Sequence, residues 1–288
     1  MTTRREWGDL PEQVRRAVED RTGPILKAES ATSGRNSELA STLWTAEGPL
    51  FCKGVTTASP LSVMHHNEIG VSPFLPSDLA PRLLWHVEEG GWLLLGFEYV
   101  PGQHADFSPN SPDIPSVTAA IRTVTSLPAP PSSAGRRAMS TQWSRALSAE
   151  IESAPSDGST GWSIENAATL TRWASRAPEY IDGSALIHTD MNPANVLVSD
   201  SVRVIDWAWW RTGAAWIDPA FAIIRFIAAG HSPSQAEELA GEIPSFRQAD
   251  AEGVTAFSAS VLRLWERKFA GTAPTIAACQ WVRYRLEK

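Results

Sequence analysis

The chain has 288 residues, of which 43% are hydrophobic and 20% are charged. These values are typical of a folded globular protein and exclude a peptide hormone, a disulfide-stabilised miniprotein and a disordered chain. The 25 basic residues stand against 32 acidic ones, which gives a net charge of -7. Because an acidic chain does not attract a phosphate backbone, we expect no nucleic-acid partner.

The N-terminus is polar and contains no apolar targeting segment. The most apolar helical stretch, 220–229, is interrupted by Arg225, which disfavours a membrane span. The two cysteines, Cys52 and Cys279, match no metal-binding or redox spacing. We therefore expect a cytoplasmic protein with two reduced thiols and no membrane partner. The sequence leaves both a monomer and a homodimer open.

Short apolar runs alternate with turn residues from Pro24 to Phe97, a pattern that predicts a small sheet. The predicted order is three strands, one helix and two further strands. In chain order these elements span 25–28, 38–44, 50–55, 61–70, 82–87 and 92–97. Pro60 favours the start of the helix, and a Glu-Glu-Gly-Gly turn separates the last two strands.

Residues 98–102 end this pattern, because Pro and Gly together interrupt regular structure. Beyond them, apolar residues crowd nearly every face of a helix over 220–229, and apolar residues between 254 and 265 recur at helical spacing. The sequence therefore predicts an N-terminal lobe over 1–97, a hinge over 98–102 and a mainly helical lobe over 103–288.

The most informative segment is 186–207, in which polar residues lie between apolar strands. It contains His188 and Asp190, then Asn195 five residues later, and Asp206 after a short hairpin. Carboxylate and amide oxygens are hard ligands that hold Mg²⁺ and organise nucleotide phosphates. A base and two metal ligands in this order are what phosphoryl transfer to a hydroxyl group requires.

This segment resembles the catalytic loop of the aminoglycoside phosphotransferase family, which are small-molecule kinases with a protein-kinase-like fold. The family pattern, His-x-Asp-x-x-x-x-Asn followed by Ile-Asp-Trp, is matched by His188, Asp190, Asn195, Asp206 and Trp207. The order of elements extends the resemblance over roughly 23–226. It implies an α+β, bilobal protein-kinase-like fold: a small antiparallel-sheet N-terminal lobe with one main helix, and a larger, mostly helical C-terminal lobe.

By this resemblance, Asp190 is the catalytic residue that orients and deprotonates the acceptor hydroxyl. Asn195 and Asp206 ligate the Mg²⁺ that bridges the phosphates of ATP or GTP, and His188 supports the loop. Asp218 precedes the central helix of the second lobe. It either anchors the backbone of the catalytic loop, as a similarly placed Asp does in kinase-like folds, or caps that helix.

The resemblance also requires a cation near the α- and β-phosphates. Lys53 lies in the middle of an apolar strand, where an unpaired ammonium is costly to bury. An outward-facing position at the edge of the sheet is the alternative for this residue. The favoured partner of Lys53 is Glu68 on the following helix, although Glu38 on the preceding strand could reach the same lysine. Lys53 and Glu68 are thus candidate nucleotide-binding residues.

The loop 30–37 is the candidate phosphate loop, although it holds only Gly34 where kinases commonly have a Gly-rich pattern. Backbone N–H groups and the side chains of Ser33, Asn36 and Ser37 can still surround a phosphate. An ordinary hairpin turn is the competing interpretation. The sequence contains no Walker-type or Rossmann glycine motif, so those nucleotide-binding mechanisms are disfavoured.

Residues 97–100 are the predicted hinge strand, in which the main-chain groups of Glu98 and Val100 can bind the edge of a purine. Phe97 and Tyr99 project alternately. Such contacts do not distinguish ATP from GTP. The adjacent residues His65 and His66 point to different faces of their helix, so we assign them no function.

Trp207, Trp209, Trp210 and Trp216 cluster around Arg211 beside the predicted metal segment. Their indole rings can form a stacking surface for a sugar or a planar base, and Arg211 can bind a carboxylate. Packing in the interior is the alternative for each indole. Carboxylates that would bind a polycation are few in this part of the chain, so a neutral, glycosylated or nucleoside-type antibiotic is an alternative to an aminoglycoside.

The resemblance thus predicts a Mg²⁺-dependent phosphotransferase that moves the γ-phosphate of ATP or GTP to a hydroxyl of a small molecule, with antibiotic inactivation as the expected role. A metabolite kinase acting on a sugar, a choline-like alcohol or homoserine is the alternative enzyme. An inactive nucleotide-binding scaffold is the alternative outside enzymes, and the complete set of Asp190, Asn195 and Asp206 argues against it.

Overall fold

The computed structural model describes residues 4–32, 34, 36–131, 138–151 and 161–288. These residues belong to two compact units. The described part of the first unit lies in 4–102 and 203–209, and that of the second in 103–131, 138–202 and 210–288. The segment 203–209, which contains Asp206, thus packs with the first unit, although the predicted division assigned it to the second lobe.

The first unit is built on a five-stranded antiparallel sheet with the strand order β1-β2-β3-β5-β4. In chain order its elements are α1 (Glu12–Thr22), β1 (Lys27–Ser30), β2 (Leu39–Thr45), β3 (Gly48–Thr56), α2 (Ser62–Val71), β4 (Leu83–Glu89) and β5 (Trp92–Glu98). The predicted succession of three strands, one helix and two strands is confirmed.

Strand β5 contributes to a buried cluster on each face of this sheet, because successive residues of a strand point to opposite sides. Leu94 belongs to the cluster that contains Val14 and Val18 of α1. Leu93 and Leu95 belong to the other cluster, against which Ile69 of α2 packs. The helices α1 and α2 therefore cover opposite faces of the sheet.

The same alternation sets the orientation of Lys53 on β3. Its neighbour Cys52 belongs to the cluster that includes α1, and burial raises the pKa of this thiol. Lys53 therefore points to the face that α2 covers. Its position opposite Leu95 in the register of β3 and β5 agrees with that orientation.

Helix α1 is not among the predicted elements. Most of its residues are charged or polar, and its buried residues, Val14 and Val18, lie one helical turn apart. This narrow apolar stripe is sufficient for packing on a sheet. It is too short to distinguish a helix from a polar N-terminal segment by periodicity alone.

The second unit is mainly helical, as predicted. Its helices are α3 (Ile114–Thr125), α4 (Met139–Ile151), α5 (Gly161–Glu165), α6 (Ala167–Ala174), α7 (Ala177–Tyr180), α8 (Ile217–Ala228), α9 (Pro233–Gly241), α10 (Pro244–Arg247), α11 (Ala251–Phe269) and α12 (Ala273–Glu287). Its short strands are β6 (Gln103–His104), β7 (Ala185–Ile187), β8 (Val196–Val198) and β10 (Arg211–Gly213). A further strand, β9 (Val202–Val204), continues into the segment 203–209.

Helix α8 lies in the interior of the second unit, with ten of its twelve residues buried. An aromatic cluster packs beside it around Phe257 of α11. The ring centroid of Phe257 lies 5.3 Å from Trp143, 5.1 Å from Phe221, 5.4 Å from Trp216 and 6.2 Å from Trp281. Several of the 13 tryptophans of the chain thus serve packing.

Both cysteines are free, with Cys52 buried and Cys279 partly exposed. Among the described residues, no helix combines the length and the apolar character that a membrane crossing requires.

Candidate functional site

Lys53 forms two ion pairs within the first unit. Its Nζ lies 2.7 Å from Oε2 of Glu68 and 2.9 Å from Oδ1 of Asp206. The side chains of Lys53 and Glu68 are only 12% and 5% exposed. The favoured partner, Glu68, is therefore the observed one, whereas Glu38 accepts a hydrogen bond of 3.1 Å from Oγ1 of Thr56. The outward-facing alternative for Lys53 is excluded.

Burial and neighbouring charges shift the pKa values of Lys53 and Glu68 in opposite directions. Burial disfavours the ammonium of Lys53, but the carboxylates of Asp206 and Glu68 outweigh it and raise the pKa of the lysine. Burial raises the pKa of Glu68, and Lys53 opposes that rise. Asp206 has a φ of +61°, a conformation that is uncommon for a residue with a side chain and is often found at functional sites.

Helix α2 contacts other segments of the first unit through three buried polar side chains. Oε1 of Glu68 accepts from the N–H of Trp207 at 3.3 Å, Nδ2 of Asn67 donates to the carbonyl of Ala208 at 3.3 Å, and Nε2 of His65 lies 3.2 Å from Oγ of Ser37. Sequence analysis missed Asn67 and assigned no function to His65. In the sequence each of them is simply a polar residue on a helix, because their partners, Ala208 and Ser37, lie 141 and 28 positions away along the chain.

The second unit contains the loop with Asp190 and Asn195, whose side chains are in contact. Nδ2 of Asn195 donates to the carbonyl of Asp190 at 3.0 Å and to its Oδ2 at 3.1 Å. His188 is fully buried, and its Nδ1 accepts from the N–H of Asp190 at 3.2 Å. Thr189, between them, has a φ of +68°. Hydrogen bonds within the loop thus fix the orientation of Asp190.

Asp218 anchors this loop through its carboxylate, which accepts from the N–H of His188 at 2.7 Å and from the N–H of Thr189 at 2.8 Å. The competing role as a helix cap is wrong, because α8 is preceded by Trp216 and has no side-chain cap. Asp218 is fully buried, and burial raises its pKa.

Arg225 of α8 is a site residue that sequence analysis did not identify. Its Nη2 lies 3.3 Å from Oδ1 of Asp190, and its guanidinium group lies 5.2 Å from the ring centroid of Trp265. Burial lowers the pKa of Arg225, and Asp190 opposes that effect. A charged residue within an apolar helix was the available signal, but it was interpreted only as evidence against a membrane span.

The sequence profile of APH, the phosphotransferase enzyme family, matches residues 34–251. The chain belongs to this family. No curated protein matches the sequence of this phosphotransferase.

Solved structures confirm the kinase-like α+β fold of the phosphotransferase. A thermostable mutant of aminoglycoside phosphotransferase APH(4)-Ia, in a ternary complex with AMP-PNP and hygromycin B, has a TM-score of 0.65 at 13% identity, with 96% of this chain and 97% of that chain covered. Spectinomycin phosphotransferase APH(9)-Ia, in complex with ADP and spectinomycin, has a TM-score of 0.58 at 13% identity, with 94% and 93% covered. Choline kinase LicA from Streptococcus pneumoniae has a TM-score of 0.58 at 13% identity, with 95% and 97% covered.

The predicted phosphate loop is described in part, and Ser33 lies outside the described residues. Gly34 has a φ of +96°, a conformation that favours glycine. Its carbonyl accepts a hydrogen bond of 2.8 Å from Nη2 of Arg4, so the N-terminal segment of the phosphotransferase supports this loop. A nucleotide-binding role for Gly34 and Ser33 stays a prediction.

The predicted hinge follows the end of β5. The N–H of Glu98 donates to the carbonyl of Arg82 at 3.0 Å, and its carboxylate accepts from Nε of Arg82 at 2.6 Å. This N–H is therefore not available to a purine, which corrects the expectation for that group. Phe97 is buried and Tyr99 is 41% exposed. Strand β5 ends at Glu98, so the predicted strand does not extend to Tyr99. Val100 lies beyond the strand.

Burial divides the tryptophans of the predicted stacking surface. Trp207 and Trp210 are 2% and 1% exposed, and Nε1 of Trp207 donates to the carbonyl of Val204 at 2.9 Å. Both rings serve packing, so their predicted contact with an acceptor is wrong. Trp209 is 39% exposed and remains a candidate, as does the partly exposed Arg211.

Proposed function

We propose that this phosphotransferase moves the γ-phosphoryl group of ATP or GTP to a hydroxyl group of a small molecule in a Mg²⁺-dependent reaction. The observation that carries the proposal is the fixed carboxylate of Asp190, which Asn195 contacts and which lies in a loop anchored by Asp218. Family membership supports phosphoryl transfer. Similar folds solved with AMP-PNP or ADP support a nucleotide donor.

Asp190 orients the acceptor hydroxyl and accepts its proton as the hydroxyl oxygen bonds to the γ-phosphorus and the bond from that phosphorus to the β-phosphate oxygen breaks, which releases ADP or GDP. Asn195 and Arg225 each contact one oxygen of its carboxylate. Because phosphoryl transfer has a loose transition state, a fixed position matters more than a strongly basic carboxylate. His188 and Asp218 act on this reaction only by holding the loop.

Asn195 and Asp206 are the proposed ligands of Mg²⁺, and their oxygens suit a hard cation. Nδ2 of Asn195 donates to Asp190, so Oδ1 is the atom of this amide left to bind the cation. Mg²⁺ typically binds one or two protein side chains together with substrate phosphates and several waters, so phosphate oxygens of the nucleotide and water would complete its coordination. When bound, Mg²⁺ neutralises charge that develops on the phosphates.

Lys53 is the proposed cation for the α- and β-phosphates, and Glu68 holds it in place. Gly34 and Ser33 contribute main-chain donors to the phosphates, while the carbonyl of Glu98 and the main chain of Val100 bind the purine. A buried, doubly paired lysine has a fixed position, which a residue that binds a flexible polyphosphate requires.

We propose an antibiotic as the acceptor. This class of acceptor is supported by the two structures of similar fold that contain hygromycin B and spectinomycin. The positive charge of Arg225 beside Asp190 disfavours a polycation at the reacting hydroxyl. A neutral, glycosylated or nucleoside-type compound that stacks on Trp209 fits better than an aminoglycoside. A metabolite kinase is the second candidate, because a choline kinase has the same TM-score, 0.58, as the spectinomycin kinase.

Incubation of the purified protein with Mg²⁺, ATP or GTP and a panel of aminoglycoside, peptide and nucleoside antibiotics, choline and homoserine tests the proposal. Mass spectrometry should find one acceptor that gains a single phosphoryl group, and EDTA should prevent this gain. Asp190→Ala should lower turnover by roughly 10²- to 10⁴-fold while nucleotide binding persists. Equal turnover in wild type and Asp190→Ala would overturn the role of Asp190, and nucleotide binding without any product would favour a scaffold.

A further inference from the structure

We propose that His65 is a positioning residue that links the end of the phosphate loop, at Ser37, to helix α2, and that the Ser37 hydroxyl serves this link instead of donating to a phosphate. The inference rests on the proposed function, since it takes the loop before β2 to be the phosphate loop. It assigns a role to a histidine that the motif leaves unexplained.

The two hydrogen bonds of the His65 ring determine which nitrogen carries the proton. Nδ1 lies 3.3 Å from the carbonyl of Leu61, and Nε2 lies 3.2 Å from Oγ of Ser37. A carbonyl oxygen can only accept, so the proton is on Nδ1. In a neutral imidazole Nε2 is then an acceptor, and the hydroxyl of Ser37 donates to it.

The environment of His65 keeps the ring neutral. The side chain is buried, and burial together with the charge of Lys53 lowers its pKa to about 4. A neutral ring preserves the acceptor that Ser37 needs. Because the only proton of a serine hydroxyl is used in this bond, Ser37 has none to donate to a phosphate oxygen.

The link matters because α2 also positions Lys53. His65 and Glu68 are three residues apart on α2, so they lie on neighbouring turns of one face. Glu68 pairs with Lys53 at 2.7 Å, and the N–H of Glu38, next to Ser37, donates to the carbonyl of Gly54 at 2.9 Å. The end of the phosphate loop and the phosphate-binding lysine are therefore held by the same helix and strand.

A double-mutant cycle tests this link by titration of wild type, Ser37→Ala, His65→Met and the double variant with mant-ATP and MgCl₂. Each single variant should raise the Kd by roughly three- to tenfold, the effect of one hydrogen bond. The double variant should bind no more weakly than either single one, because both remove the same bond. His65→Gln, which retains an acceptor oxygen, should restore most of the affinity.

The matched control is His66→Met, the same substitution at the adjacent, exposed histidine, which should leave the Kd unchanged. A direct contact of Ser37 with phosphate predicts another pattern, in which Ser37→Ala weakens binding equally with His65 present or replaced. Such additivity overturns the proposal, as does a Kd that Ser37→Ala leaves unchanged. Where His65→Met fails to fold, the ¹⁵N signal of the His65 ring replaces it: Ser37→Ala should shift the signal of Nε2, and an unchanged signal overturns the proposed bond.

The tautomer of His65 is measured separately by ¹⁵N NMR of the free protein. A proton on Nδ1 is the expected result, and a proton on Nε2 overturns the proposed bond. A protein that shows the expected tautomer but binds neither mant-ATP nor mant-GTP would overturn the proposed function without contradicting the Ser37–His65 bond. The two failures are therefore distinguishable.

Discussion

The two groups of candidate site residues are held in place by different forces. In the first unit, Lys53, Glu68 and Asp206 position one another through buried charges. In the second unit, Asp218 binds the backbone of the loop that carries Asp190. One group depends on the balance of its charges, and the other depends on a backbone conformation.

This difference suits the tasks that we propose for the two groups. A residue that binds a nucleotide phosphate must keep a positive charge, and paired carboxylates keep Lys53 protonated. A residue that orients a hydroxyl must keep its position, and main-chain hydrogen bonds fix position without regard to the charge of Asp190. Replacing one residue should therefore lower the free energy of unfolding more in the group of Lys53, Glu68 and Asp206, whose charges depend on each other, than in the group around Asp190.

Lys53→Met should have the largest effect on stability. It removes the cation and leaves the buried carboxylate of Glu68 beside the partly buried one of Asp206, so the free energy of unfolding should fall by about 3–5 kcal/mol. Urea denaturation at pH 7 measures this change. Binding of mant-ATP should weaken in parallel, since no other residue of the group carries a positive charge.

Lys27→Met is the matched control, because Lys27 pairs with Glu29 on β1 of the same sheet but is 62% exposed. An exposed pair contributes at most about 1 kcal/mol, so this variant should unfold nearly as the wild type does. Equal stability of Lys53→Met and Lys27→Met would contradict the view that the first group depends on its charges.

The sequence was sufficient to predict the features that local chemistry requires. A lysine within an apolar strand needs a carboxylate, and the next helix contains Glu68 at a suitable distance along the chain. The strands of the first unit were predictable because their apolar runs end at turn residues. The motif of the catalytic loop indicated Asp190 and Asn195, which the structure shows in contact.

The missed features depend on partners that are distant in the chain or on weak patterns. Asn67 and His65 became meaningful only through Ala208 and Ser37, which no periodicity indicates. Helix α1 was hidden because its apolar stripe consists of few residues. The indoles of Trp207 and Trp210 were assigned to a ligand because composition alone does not tell a buried ring from an exposed one.

Asp218→Asn tests the backbone-held group and should have an intermediate effect. An Asn side chain offers one acceptor oxygen where two N–H groups need one each, so the free energy of unfolding should fall by about 1–3 kcal/mol. Phosphoryl transfer should also fall, because the loop with Asp190 loses its anchor. Asp250→Asn is the control, since Asp250 accepts from two N–H groups at an exposed helix start and should change neither property.

The pH dependence of this variant follows from the raised pKa of Asp218. A group whose pKa is higher in the folded protein contributes stability at low pH and loses it as the pH rises through the folded-state pKa. The Asn side chain does not titrate. The difference in unfolding free energy between wild type and Asp218→Asn should therefore be largest at acid pH and should become smaller towards neutral pH. A difference that increases with pH would contradict the conclusion that burial raises the pKa of Asp218.

Arg225→Met should have the smallest effect on stability and separates charge from position in the second group. The side chains of Arg225 and Asp190 are more exposed than those of Lys53 and Glu68, and a methionine keeps a contact with the ring of Trp265. The pair of Arg225 and Asp190 is partly buried, so the free energy of unfolding should fall by about 1–2 kcal/mol, less than in Lys53→Met but more than in Arg283→Met, whose pair with Glu287 is exposed. The turnover number should nevertheless fall by about tenfold in Arg225→Met alone, because one oxygen of Asp190 loses the partner that orients it. If Arg225→Met lost as much stability as Lys53→Met, ion pairs would stabilise both groups of site residues, and the proposed difference between the groups would be wrong.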